Sequence, residues 1–262
     1  QIMMTDELIK KNPLIHLLMH DMVKEVCVNA CLIAGAKALA ADNPDEVAEL
    51  TKAADVVYGN LGSQTKDRMQ AMRIAREAAL HRGAPFVLDV SGVAASASRR
   101  RQVREFAEIA KIDVLKGNQA EILALSLDKD TARGVDAETE HEEQALQAAL
   151  QLTRNTAKVV VVSGATDLIT DGKDMSRVEL GDPAMQMVTG TGCIGSLLCA
   201  VYAAIDPFRG AIVAMRLNGA VGEETMKRVN ASFGIGFYYP VFLSVLEEVI
   251  RGKDYAFGER HV

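Results

Sequence analysis

The run Thr189-Gly190-Thr191-Gly192-Cys193 opens a segment in which Ile194, Leu197, Leu198 and Val201 recur at helical spacing. Gly190 and Gly192 allow unusual φ values and a close approach of backbone to ligand. The first amides of the helix have no intrahelical partners, so they point at whatever precedes it. An anion there gains hydrogen bonds and a favourable helix dipole. A transferring γ-phosphoryl group is such an anion. A plain glycine turn before a core helix has the same signature, and the spacing is not that of a P-loop. Cys193 falls in the first turn of the helix, a position expected to lower a thiol pKa, so it could take a proton from a substrate hydroxyl. A small apolar residue at a helix start would look the same.

Asn118-Gln119-Ala120-Glu121 follows a strand and opens another helix. Glu121 could hold magnesium through water, because that ion keeps several waters. Asn118 with Glu121 also fits a capping box, and the two roles are compatible. Asp89 ends a strand and could join the magnesium water shell or cap a loop. Lys116 could neutralise nucleotide phosphate or stand solvated at a strand end.

These residues need elements to position them. Val23 through Ala34 reads as a helix stopped by Gly35, and Lys66 to Arg82 as a helix closed by Gly83. Strands are expected at 54–58, 85–89, 112–115 and 158–162. The last is wholly apolar between its ends and so belongs inside a sheet. Asp171-Gly172 has hairpin chemistry. Helices are expected from Gln119, over Glu138 to Thr153, from the glycine turn to about Ala204, and around 208–229 and 238–251. This βα order predicts an α/β fold with a mainly parallel central sheet and helices on both faces, as one domain over 1–262. Ligands then bind beyond the carboxyl ends of the strands. That rule gathers Asn60-Leu61-Gly62, Asp89, Lys116-Gly117-Asn118, Ser163-Gly164 and Thr189 to Cys193 at one rim.

Bulk properties narrow the class. The 262 residues are 49% hydrophobic with net charge −6 and no long basic run, so nucleic-acid binding has no electrostatic footprint. Arg99-Arg100-Arg101 reads as a solvated helix start. Cys27, Cys31, Cys193 and Cys199 form no CxxC pair and lack further ligands at zinc spacing. Cys27 and Cys31 suit core packing. No signal peptide or membrane-spanning run is evident, which fits a reducing cytoplasm. Gln1 to Thr5 read as added or processing-derived residues.

Taken together, these stretches resemble the hydroxyethylthiazole kinases of thiamine salvage, within the ribokinase-like superfamily. The resemblance runs from about Pro13 to Glu248. It includes Asn12-Pro13-Leu14-Ile15-His16, Asn60-Leu61-Gly62-Ser63, Leu88-Asp89 with Gly92-Val93, Lys116-Gly117-Asn118 with Glu121, and Ser163-Gly164 with Asp167. Val188 to Cys193 is its most specific part, since most ribokinase-like kinases have Asp where Cys193 stands. The resemblance implies a ribokinase-like three-layer fold and ATP- and Mg2+-dependent phosphorylation of an alcohol. It also implies a homotrimer with sites at subunit boundaries. Lys116, Asn118, Ser163 and Gly164 would bind nucleotide, and Asp89 and Glu121 would lie on the magnesium side. Gly190, Gly192 and Cys193 would serve catalysis, and Gly62, Gly190, His20 and Ala40 would contact substrate. His20 stands where the family has Asn, Ala40 where it has Met, and Lys116 where it has Arg. The resemblance therefore leaves the acceptor open between hydroxyethylthiazole and a related alcohol. A nucleotide- or thiamine-precursor-binding protein with little or no activity is the alternative.

Overall fold

The computed structural model describes residues 2–128 and 138–252. The ranges 129–137 and 253–262, included in the expected single domain, lie outside the described residues. In its first half the chain forms α1 (Ile2–Lys11), β1 (Leu14–Leu18), α2 (Lys24–Ile33), β2 (Lys37–Ala40), α3 (Val47–Thr51), β3 (Val56–Asn60), α4 (Lys66–Arg82), β4 (Phe86–Asp89) and α5 (Ala97–Ile109). There follow β5 (Ile112–Asn118), α6 (Gln119–Leu127), α7 (Glu138–Asn155), β6 (Ala157–Ser163), β7 (Asp167–Thr170), β8 (Met175–Val178), α8 (Thr191–Ala203), α9 (Pro207–Arg228) and α10 (Tyr238–Ile250).

Among the described residues the sheet has eight strands in the order β2-β1-β3-β4-β5-β6-β7-β8. Pairings from β2 through β6 are parallel, and β7 and β8 add an antiparallel hairpin. Gly172, at φ 89°, turns that hairpin. Side chains alternate between the two faces of a strand. On β6, Val159 and Val161 face a core with α2, α8, α9 and α10, whereas Val160 and Val162 face a second core with α4, α5 and α7. Both faces are covered, which is why the strand is apolar between its ends. The layers are helix, sheet, helix.

The local signals explain most boundaries. Thr65 caps α4 through its side chain, and Gly83 ends the helix at φ 73°. Asn118 and Glu121 form a complete capping box on α6. Residues 2–5, read as extraneous, belong to α1, and the Thr5 hydroxyl lies 2.9 Å from that of Tyr202. Cys27 and Cys31 are fully buried core residues.

Candidate functional site

The carboxyl ends of β3, β4, β5 and β6 open into a cavity of about 300 Å³ closed by the start of α8. Its wall contains Asp89, Lys116, Asn118, Glu121 and Ser163 from the strand ends and the start of α6. Gly190, Gly192 and Cys193 line it from the helix turn, and His20 and Gly62 from the segments after β1 and β3. Parallel strands put all their carboxyl ends on one edge, so residues scattered from 20 to 193 meet there.

Two expected contacts lie elsewhere. Ala40 is exposed at the end of edge strand β2 and does not line this cavity. β2 pairs only with β1, which sets its end off from the cavity wall. Gly164 is a neighbour of the wall rather than part of it; its N–H donates to Asp167 at 3.0 Å and so shapes the loop after β6.

The turn before α8 depends on its glycine. Gly190 caps the helix at φ 95°, and Ile194 N–H already donates to its carbonyl at 3.0 Å. A Cβ at Gly190 would sit 2.4 Å from a Val23 methyl and 2.8 Å from the Tyr239 hydroxyl. Tyr239 donates that hydroxyl to the Thr189 carbonyl and pins the turn from α10. The earlier amides of α8 have no intrahelical acceptor, so the turn can bind an anion.

Lys116 is 3% exposed and is not a solvated strand-end lysine. Its ammonium donates to the Gly192 carbonyl at 3.2 Å and to Ser163 Oγ at 3.4 Å. No carboxylate lies within ion-pair distance among the described residues. A cation held this way, beside an anion-binding turn, suits a phosphate. Asp89 Oδ1 accepts from the Ser91 amide at 2.9 Å and its hydroxyl at 2.5 Å, and Oδ2 accepts from Ser196 at 2.7 Å. Glu121 accepts from the Asn118 amide at 2.8 Å and the Gly92 amide at 2.7 Å. Burial raises the Glu121 pKa, opposed by those two hydrogen bonds. No group of three or more His, Cys, Asp or Glu side chains forms a metal cage among the described residues. Two oxygen-only carboxylates on one wall fit an ion such as Mg2+, which keeps its waters and shares phosphate oxygens.

Cys193 departs from the helix-start expectation. Its thiol is pushed up to about 12, first by burial and then by the charge of Asp89. A helix dipole is a smaller effect than removing a thiolate from water. The sulfur accepts from Asn60 Nδ2 at 3.3 Å and lies 3.8 Å from His20 Nε2. Arg99, expected to be solvated, reaches from α5 to the cavity rim. Its guanidinium donates to the Ser91 carbonyl at 3.0 Å and the Gly62 carbonyl at 2.9 Å, joining the loops after β3 and β4. Arg100 is also buried, at 4% exposure, so of the three arginines Arg101 alone is exposed. Asn60 was expected at the rim as part of a strand end, but Ser196 and Arg99 were not expected there; Ser196 had a local signal, one helical turn after Cys193.

Comparison with known proteins agrees with this geometry. Residues 5–251 match the model of the hydroxyethylthiazole kinase family. The hydroxyethylthiazole kinase of Nitratidesulfovibrio vulgaris (strain DP4) is 38% identical over 243 residues, 92% of this chain and 89% of that protein. That of Thermoanaerobacter pseudethanolicus is 34% identical over 261 residues, 96% of this chain and 98% of that protein. The solved structure of hydroxyethylthiazole kinase from Pyrococcus horikoshii OT3 superposes with a TM-score of 0.83 at 28% identity, covering 96% of this chain and 95% of that one. A ribokinase-like superfamily protein from Enterococcus faecalis V583 shares the fold, with a TM-score of 0.65 at 14% identity over 96% of this chain and 94% of that one. With the family model spanning nearly the whole chain and relatives 38% and 34% identical over most of their length, this protein belongs to the hydroxyethylthiazole kinase family.

Proposed function

We propose that the protein transfers the γ-phosphoryl group of ATP to the hydroxyl of hydroxyethylthiazole, or of a related small heterocyclic alcohol. The observation that carries this is the buried ammonium of Lys116, which lies beside the α8 turn and on the same cavity wall as Asp89 and Glu121. Phosphoryl transfer needs little covalent help from protein; it needs positioning and charge stabilisation. In this proposal Lys116, Asn118, Ser163 and Gly164 hold nucleotide, and the turn from Gly190 to Cys193 binds the transferring group. Asp89 and Glu121 would hold Mg2+ through waters. That ion, when bound, offsets charge on the phosphate oxygens. Gly62 and His20 bound the acceptor end of the cavity.

The buried, protonated thiol of Cys193 favours a second reading, a nucleotide-binding protein with little turnover. Incubation with Mg-ATP and hydroxyethylthiazole, followed by ADP release, separates the two. Alcohol-dependent ADP supports the kinase; tight nucleotide binding without turnover of any alcohol in a heterocyclic panel supports the binder.

We further propose a homotrimer with sites at subunit boundaries. It is supported by the exposure of Ala40 on edge strand β2 and of Met22, 69% exposed at the cavity mouth. Light scattering on the eluted protein tests it; a monomer mass overturns it. Residues 1–262 are proposed as one domain, expected to melt in a single calorimetric transition. Four free, buried cysteines fit a reducing cytoplasm, and no helix among the described residues is long and apolar enough to cross a membrane.

A further inference from the structure

The cavity holds a group that could accept the alcohol's proton, and it is not the cysteine. His20 follows β1, is 5% exposed and lines the acceptor side. Its Nε2 lies over Gly62, where a Cβ would come within 2.8 Å of it, and 3.8 Å from Cys193 Sγ. Asn60 donates to that sulfur, and with the ring proton on Nδ1 the thiol donates to Nε2. A thiol is a weak donor and this contact is long, so an alcohol hydroxyl can replace it at Nε2. His20 Nδ1 is buried and has no hydrogen-bond partner among the described residues. An acceptor at Nε2 requires the neutral tautomer with the ring proton on that Nδ1.

We infer that His20, rather than Cys193, is the catalytic proton acceptor of this site, with its Nε2 taking the proton of the attacking hydroxyl. The inference rests on the proposed kinase function. In the step, the substrate O–H bond breaks and its proton moves to Nε2. The oxygen forms a bond to the γ-phosphorus of ATP, the bond from that phosphorus to the bridging oxygen breaks, and ADP leaves with the electron pair. Cys193 stays a thiol throughout.

The charges agree with this assignment. Burial lowers the His20 pKa from its ordinary 6.5, so the ring is neutral and has a free lone pair at pH 7. The thiol, at about 12, has no comparable thiolate fraction. The charged or titratable groups facing His20 are Asp89 from β4, Arg68 from α4, Cys193 from α8, and Asp21 and Lys24 at the entry to α2. Asp89 and Asp21 favour the imidazolium formed by the transfer, and Arg68 and Lys24 oppose it.

The test compares wild type, His20→Ala, His20→Asn and Cys193→Ala with Mg-ATP and hydroxyethylthiazole. General-base removal is expected to lower kcat by about 100-fold in both His20 variants. ATP affinity by calorimetry should stay within about threefold, showing an intact fold and nucleotide site. Imidazole added to His20→Ala should restore at least about tenfold of the loss, and rescue should rise with the pKa of substituted imidazoles. Cys193→Ala should lose less kcat than either His20 variant, and imidazole should restore none of that loss, since on this assignment it removes no proton acceptor. Undiminished kcat in both His20 variants, a loss in His20→Ala that imidazole does not rescue, or a loss in Cys193→Ala as large as theirs that imidazole does rescue each overturns the assignment. Absence of alcohol-dependent ADP release in wild type instead overturns the proposed function, and the assignment with it.

Discussion

The two ends of the sheet use buried charge in opposite ways. At the amino end, Asp113 accepts from Lys158 at 2.7 Å and from the Phe86 amide at 2.8 Å, with Arg76 at 4.0 Å. Arg76, 1% exposed, also donates to the Ala110 and Lys111 carbonyls and lies over the Phe86 ring. These charges face one another and tie β4, β5 and β6 to α4, with buried Arg76 Nε left without a hydrogen-bond partner among the described residues. At the carboxyl end, Lys116 is nearly as buried but among the described residues meets only a carbonyl and a hydroxyl. Charges closed on each other serve stability, and charges left facing a cavity are available to a ligand. Natural sites give up stability for such availability.

Substitutions at the two ends should separate these roles. The largest effect is expected from Gly190→Val, where φ of 95° and the Val23 methyl both oppose a side chain. Turnover should fall by about 10²–10³-fold, the cost of losing anion stabilisation at the reacting group. A variant that keeps more than a tenth of wild-type kcat breaks the link between this turn and the chemistry. Next is Asp113→Ala, expected to destabilise by about 3 kcal/mol in urea unfolding, because the Phe86 amide and Lys158 lose their acceptor and buried Arg76 loses its nearby carboxylate. Its kcat should hold in the folded protein. Unchanged stability would remove the contrast between the two ends.

Lys116→Met should do the reverse. The KM for ATP should rise by about 10–100-fold, consistent with losing a charge-assisted phosphate contact. The melting temperature should hold or increase, since a buried cation without a carboxylate partner is removed. A clear fall in melting temperature would mean that Lys116 supports the fold as Asp113 does.

The smallest effect concerns Asp167, which burial pushes up to about 6 from 3.8. A carboxyl raised in the folded state stabilises fully below 3.8 and loses that contribution as pH rises towards 6. Relative to wild type, Asp167→Asn should therefore gain stability between pH 4 and 7, by about 1–3 kcal/mol. A difference constant across that window would show that Asp167 ionises as in water.

Much of the site was readable along the chain because its determinants are local. Asn118 and Glu121 were expected to cap a helix and do so, and the glycine turn precedes α8 as its spacing required. The strand ends were expected at one rim and line one cavity. β1 and β2 were harder to read. His16 is polar yet fully buried, because Thr51 and the Ala41 carbonyl satisfy its ring, while β2 is a short edge strand with exposed ends.

The sequence by itself determined the alternation of strands and helices and the glycine turn before α8, since each depends on neighbours within a few residues. Only the tertiary structure decided the state of the side chains in the cavity. Arg99 looked like one of three solvated arginines until two distant loops offered it carbonyls. Cys193 looked like a thiolate until α8 buried it beside Asp89. Its contact with His20 joins residues 173 positions apart. Desolvation and hydrogen-bond partnership depend on what closes over a group, and that is settled only when the layers pack.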